Sequence, residues 1–284
     1  MTRLPRWRSL LYVPATADRF VEKAHTRGAD AIILDLEDAV APSEKERARS
    51  HVAEAAKVVG QDGADVLVRI NRPWRLAVRD IEEAVGPDVC ALFLPKVDSA
   101  EHVRAIADVV ADVETERGLA LGHTAFVARI ETAKGVLVAA EIASAHPRIV
   151  GVGLGSSDYT LETGMAAGDD GNVIASFHVV NAAVAAGVLP LGLVSTIAQL
   201  ADPDAFRGEA VRSRALGLRG SPCIHPNQVP ILNEVFTPTE AELERARRVV
   251  AEYEAAIAAG QGAITVDGEF VDKPYYDQAR RLLA

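Results

Sequence analysis

A (β/α)8 barrel, the TIM barrel, with a C-terminal helix–hairpin appendage is the fold this sequence predicts. Three observations predict it. Short apolar, β-rich runs recur with helix-patterned stretches between them, the rhythm of parallel strands joined by crossover helices. Eight such runs can be read, and they are near-continuously apolar, as strands covered on both faces must be. The length of 284 residues suits one barrel with an addition.

The strands are expected at Ser9–Val13, Ala31–Asp35, Val66–Ile70, Ala91–Leu94, Ala125–Ile130, Ile149–Leu154, Leu189–Val194 and Cys223–Ile224. Between them, Ala17 to Arg27 sets Phe20, Val21 and Ala24 on one helical face. Ser43 and Glu46 have the spacing of a capping box. Ser99 opens a helix over Ala100–Glu116, with Val103, Ile106, Val110 and Val113 at helical spacing. Asp169-Asp170 between glycines reads as a solvated turn. A long amphipathic helix spans Thr239–Ala259, and Ala263–Val271 alternates around Asp267-Gly268 as a hairpin does. The domain division is therefore a catalytic barrel over residues 1–237 and a lid-like helix–hairpin appendage over 238–284.

Composition narrows the function classes. The balance of 49% hydrophobic and 25% charged residues is that of an ordinary globular protein. A net charge of −10 argues against a nucleic-acid or anionic-membrane partner, though a local arginine cluster can still bind a small acid. Cys90 and Cys223 lie in apolar runs, so no structural disulfide is expected and a reducing cytoplasm is the simplest setting. No apolar stretch approaches the ~20 residues of a membrane span.

A barrel carries its chemistry where its strands end. Here the second strand runs into Glu37 and Asp38, the third ends at Arg69-Ile70-Asn71, and the fourth leads to Lys96. The fifth ends in Glu131, and Ser156-Ser157-Asp158 follows the sixth. Four acids at one mouth are costly unless a cation or basic side chains neutralise them. Oxygen ligands without histidine suit Mg²⁺ or Mn²⁺ rather than zinc. Glu131 and Asp158, on adjacent strands, could share one ion; equally, the acids could pair with Arg69, Arg129 and Lys96. Position alone leaves both open. Gly151–Gly155 lacks the spacing of a dinucleotide fingerprint, His225 reads as structural, and Lys96 reads as a salt-bridge partner of Asp38 or Glu131.

The motifs RSLLYVPA (8–15), LDLEDAV (34–40), VRIN (68–71), LPKV (94–97) and ARIETAKG (128–135) occur in order. They continue through GLGSSDYTLETG (153–164), CIHPNQ (223–228) and FVDKP (270–274). Together they resemble the citrate lyase β-subunit-like family, which includes malyl-CoA and citramalyl-CoA lyases within the HpcH/HpaI aldolase superfamily. The resemblance implies Glu131 and Asp158 as magnesium ligands and Arg69 as the holder of the substrate carboxylate and enolate oxygen. It implies that Glu37 and Asp38 orient metal waters and Arg69, and that the amides around Gly155, Ser156, Ser157 and Asp158 receive a carboxylate. It also implies that Asp272 is an acid delivered by a neighbouring subunit of a homotrimer or hexamer.

The function implied is a Mg²⁺-dependent carbon–carbon lyase or condensing enzyme on a short hydroxy or keto acid, carried as a CoA thioester. An aldolase of free 2-keto acids, or a non-catalytic organic-acid or acyl-CoA binding protein, are the alternatives. Relatives read arginine, aspartate and lysine where this chain has Ser176, Gly192 and Ser221. These departures leave the metal pair intact and the acyl carrier open.

Overall fold

The computed structural model describes residues 4–165, 169–198 and 200–283. Contacts divide the chain between Phe236 and Thr237 into two compact units. In the first, β1 (Ser9–Pro14), β2 (Ala31–Asp35), β3 (Asp65–Arg69), β4 (Ala91–Leu94), β5 (Ala125–Ile130), β6 (Ile149–Leu154), β7 (Leu189–Pro190) and β8 (Ser221–Cys223) form one sheet. Neighbours are consecutive from β1 to β7, β8 pairs with β1, and all the pairings are parallel. The ring closes through a parallel bridge between Leu191 and Gly220.

Alternation along the strands sorts two apolar layers, because successive side chains face opposite sides. Leu10, Ala31, Ile33, Leu67, Ala91, Phe93 and Val127 pack together inside the ring. Ile32, Leu34, Val68, Leu92, Phe126 and Ala128 face outward under the helices. Three strands are shorter than or displaced from the sequence expectation, one of them being β3, Asp65–Arg69 rather than Val66–Ile70. Gly192, at φ 139°, turns the chain out of the seventh strand before Val194. The eighth strand is Ser221–Cys223 rather than Cys223–Ile224, because Gln228 Oε1 takes the Ile224 and His225 amides at 3.0 and 3.2 Å.

The helices, numbered along the chain with α3 (Trp74–Ala84), α5 (Ala133–Leu137), α6 (Ala139–Ala143), α9 (Pro203–Ala215) and α10 (Gln228–Val235) among them, show which local signals decide. Ser99 caps α4 (Ala100–Glu116), its Oγ accepting from His102 N at 3.3 Å. The expected Ser43–Glu46 box does not form. Pro42–Glu44 makes a 3-10 turn before α2 (Lys45–Val59), and the Glu46 carboxylate binds Arg49 at 2.6 Å instead. In α1 (Asp18–Ala24) Val21 and Ala24 are buried, but Phe20 faces solvent beneath Arg19. Asp169 and Asp170 begin α8 (Asp169–Ala186) rather than a turn.

The second unit holds α11 (Glu240–Ala258), β9 (Ile264–Val266), β10 (Glu269–Val271) and α12 (Lys273–Leu283). A capping box that the sequence reading passed over, Thr239 with Glu242, starts α11. Asp267 (φ 51°) and Gly268 (φ 82°) turn the antiparallel hairpin, the left-handed pair a two-residue loop requires. Val249, Tyr253, Val266, Val271 and Ala279 form this unit's own core. Among the described residues, no helix is long and apolar enough to cross a membrane.

Candidate active site

The ends of β1, β2, β3, β5 and β6, with the turn after β7 and with β8, line a cavity of about 170 Å³. Tyr12, Asp35, Arg69, Arg129, Glu131 and Asp158 line it, with the Gly155–Ser157 turn and with Gly192 and Ser221. The inward position at the end of β2 is Asp35, which is 1% exposed. Its carboxylate grips Arg69 with two hydrogen bonds, Nε to Oδ1 at 2.7 Å and Nη2 to Oδ2 at 2.6 Å. The same oxygens accept the Glu37 and Ala39 amides at 2.8 and 3.1 Å, so Asp35 orders both the arginine and the acidic loop. A bidentate, charge-assisted pair fixes a guanidinium in direction as well as place. Burial opposes the charge of Arg69, but the hydrogen bonds and field of Asp35 outweigh it and its pKa rises.

The remaining nitrogen, Arg69 Nη1, lies 2.9 Å from Glu37 Oε2 and 3.6 Å from Asp38. The Glu37 contact is an ion pair without hydrogen-bond alignment, since that buried oxygen has no hydrogen-bond partner. Tyr12 lies under Arg69, 4.7 Å from ring centroid to guanidinium, and its burial lifts the phenol pKa to about 12. Lys96, in the left-handed region at φ 49°, reaches Glu37 at 2.9 Å and Asp38 and Asp158 at 3.7 Å each. Its field and hydrogen bond act on Glu37, yet burial prevails and raises the pKa of that acid. Salt bridges thus account for Glu37, Asp38 and one side of Asp158.

They do not account for Glu131. This carboxylate is 5% exposed and, among the described residues, accepts a hydrogen bond only from Lys96 N, at 3.1 Å. Among the described residues no lysine, arginine or histidine forms an ion pair with it. Burial, with the like charges of Asp158 and Glu37 and against the pull of Arg129, raises its pKa to about 7. A cradle is shaped for it: a Cβ on Gly155 would stand 2.3 Å from Glu131 Cγ. Gly155 N also bonds Ile130 O at 2.8 Å, tying the two loops together. Asp158 stands in the first turn of α7 (Ser156–Thr163), where the helix amides favour a negative charge. Ser156 Oγ donates to Ser195 O at 2.9 Å and anchors that turn.

Does this donor set fit a divalent ion? A buried carboxylate short of a cation, next to a second acid and facing a cavity, is the setting in which Mg²⁺ binds through one or two carboxylates and keeps water on its other positions. Among the described residues no three His, Cys, Asp or Glu side chains converge to form a full cage. The fit is therefore to magnesium held by two acids rather than to a closed structural metal site.

Of the residues proposed from sequence, Arg69, Glu37, Asp38, Glu131, Asp158, Gly155, Ser156 and Ser157 come together around or beside this cavity. Asp272 belongs to the second unit, immediately before α12. Its main-chain oxygen accepts from Tyr276 N at 3.0 Å, while its Oδ1 is shielded and has no hydrogen-bond partner among the described residues. The sequence reading missed Asp35 and Tyr12. The signal for Asp35 was present, since a charged residue at the inward register of Ala31 and Ile33 must have a partner. Replacing it tests its role: Asp35→Ala strands Arg69 and should destabilise the fold by about 3–5 kcal/mol. Chemical denaturation checks this, and a loss under 1 kcal/mol would show the pair to be dispensable.

Residues 8–226 match the model of the HpcH/HpaI aldolase/citrate lyase family. The chain is 35% identical over 279 residues to citrate lyase subunit beta of Leuconostoc mesenteroides subsp. cremoris, covering 97% of this chain and 92% of that one. It is 36% identical to the (3S)-malyl-CoA thioesterase of Cereibacter sphaeroides (strain ATCC 17025 / ATH 2.4.3), covering 98% and 94%. CitE from Mycobacterium tuberculosis, solved in complex with magnesium, acetoacetate and coenzyme A, superposes with a TM-score of 0.78 at 29% identity over 97% of this chain and 96% of that one. With its eight parallel strands, its cavity and its matched residues, this chain belongs to the HpcH/HpaI aldolase/citrate lyase family.

Proposed function

We propose that this protein is a magnesium-dependent carbon–carbon lyase, or condensing enzyme, acting on a short hydroxy or keto acid carried as a CoA thioester. The observation that carries the reading is Glu131, a buried carboxylate beside Asp158 that faces the cavity and, among the described residues, forms no ion pair with a cationic side chain. Magnesium held by these two acids would supply Lewis acidity and a template for adjacent oxygens of the acid. Mn²⁺ would serve the same donor set.

The chain's own groups do the rest. Arg69, aimed by Asp35, donates to the substrate carboxylate and to the oxygen on which enolate charge develops as the carbon–carbon bond breaks. Being always charged, it needs no proton exchange in that role. The amides that open α7, at Gly155 to Ser157, receive a carboxylate oxygen. Glu37 and Asp38 hold Arg69 and Lys96 in place. Asp272 moves the proton that quenches or forms the enolate, and a neighbouring copy delivers it in a homotrimer or hexamer. Its Oδ1, without a hydrogen-bond partner among the described residues, and its place before α12 support that role. A soluble cytoplasmic enzyme is the setting this chemistry suits.

Two of the family departures, Gly192 and Ser221, lie in the cavity wall, and they make the acyl carrier the point to test. Isothermal titration of the Mg²⁺-loaded protein with CoA and with pyruvate, glyoxylate or oxaloacetate should show both classes binding, with Kd between roughly 1 μM and 1 mM. Keto-acid binding with no CoA affinity would replace the thioester lyase by an aldolase of free keto acids. Binding of neither would overturn both.

A further inference from the structure

Arg129 stands on β5 two residues before Glu131, and its side chain turns inward like that of Val127. It is 8% exposed and lines the cavity. Two missing side chains make room for its guanidinium. A Cβ on Gly153 would lie 2.6 Å from Nη1, and one on Gly192 would lie 3.7 Å from it. Phe93 packs against the other side, 5.7 Å from its ring centroid.

The other fully buried arginines are anchored. Arg49 holds Asp80 at 2.8 Å and Arg148 holds Glu114 at 2.6 Å. Arg129 Nη1 has no hydrogen-bond partner, and among the described residues Arg129 forms no ion pair with a carboxylate. A buried charge left without a bonded anion costs several kcal/mol, and the field of Glu131 and a neutral ring recover only part of it. Such a group is retained where an anion arrives from outside the chain.

We propose that Arg129 is a specificity-determining residue that binds a second carboxylate on the acid, so that the cavity prefers a dicarboxylate to a monocarboxylate. This rests on the function proposed above, in which Arg69 and the amides opening α7 take the first carboxylate. The planar fork of arginine matches a carboxylate, and its position inside the barrel wall selects a small acid over the bulky phosphates of a carrier.

Isothermal titration of the Mg²⁺-loaded protein with oxaloacetate and with pyruvate tests it. A charge-assisted hydrogen bond to a carboxylate corresponds to about 10–100-fold in affinity. The wild type should bind the diacid at least about tenfold more tightly. In Arg129→Gln that ratio should fall to near unity while pyruvate affinity stays unchanged. Arg129→Met, which replaces a buried unpaired charge with an apolar chain, should also lose the preference and should melt no lower than wild type. A preference that survives in both variants, or one absent from the wild type, would overturn the proposal. So would an equal loss for both acids together with a lowered melting temperature. If the preference collapses as expected but no thioester is cleaved, the lyase reading fails and the assignment of Arg129 stands.

Discussion

Glu131→Ala and Asp158→Ala are each expected to fold as the wild type does and to lose turnover by about three orders of magnitude or more. Removing a Lewis-acid contribution of several kcal/mol corresponds to that factor. The fold should tolerate both changes for different reasons. Among the described residues Glu131 is held by one main-chain hydrogen bond, from Lys96, and its burial is unfavourable to its charge, so its removal relieves a cost. Asp158 is partly exposed and has its nearest cation 3.7 Å away. Steady-state kinetics at saturating Mg²⁺, with circular dichroism melts of both variants, read the two effects apart. A variant that keeps wild-type kcat would remove that residue from the metal site.

Mixing two inactive variants should restore activity. Glu131→Ala lacks the proposed metal ligand but keeps Asp272, and Asp272→Ala keeps the ligand and lacks the acid. If a neighbouring copy delivers Asp272 in a cyclic oligomer, random assortment after joint dissociation and reassembly gives roughly a quarter of sites with both residues intact. Recovered activity near a quarter of the wild-type level is the expected result. Verified mixed oligomers that stay inactive would place the action of Asp272 within its own chain, or leave it only the role of starting α12.

The barrel was legible because each strand buries both faces and therefore writes itself as an unbroken apolar run. Where that logic weakens, the strand ends move. Leu189–Val194 is apolar enough for a strand, but at Gly192 the backbone takes φ 139°, and the regular strand has ended before it. At the eighth strand, a glutamine side chain five residues beyond Cys223 in the chain captures the amides that would have extended the ladder. Ser43 and Glu46 carry the letters of a capping box, and Pro42 with Arg49 redirects both of them.

In the site, acids at strand ends stood out because a buried barrel excludes charge unless it has work for it. Pairing was another matter. Arg69, Arg129 and Lys96 look alike as salt-bridge partners along the sequence, yet three dimensions give them different roles. Arg69 is clamped by Asp35, Lys96 spans Glu37, Asp38 and Asp158, and Arg129, among the described residues, forms no ion pair although its field reaches Glu131. Asp35 was passed over because it completes an apolar strand, and only the inward register shows that it must face Arg69. Whether Asp272 acts in a neighbour is a property of the assembly, which local sequence does not encode.

A divalent ion held by Glu131 and Asp158 is expected to be required for breaking or making the carbon–carbon bond. The most direct measurement is turnover of a short β-hydroxyacyl-CoA by protein freed of metal with EDTA, with products followed by mass spectrometry as Mg²⁺ is restored. Formation of a keto acid and a shortened acyl-CoA should be absent in the chelated protein and return with added Mg²⁺. Cleavage at the normal rate in the fully chelated protein would contradict it.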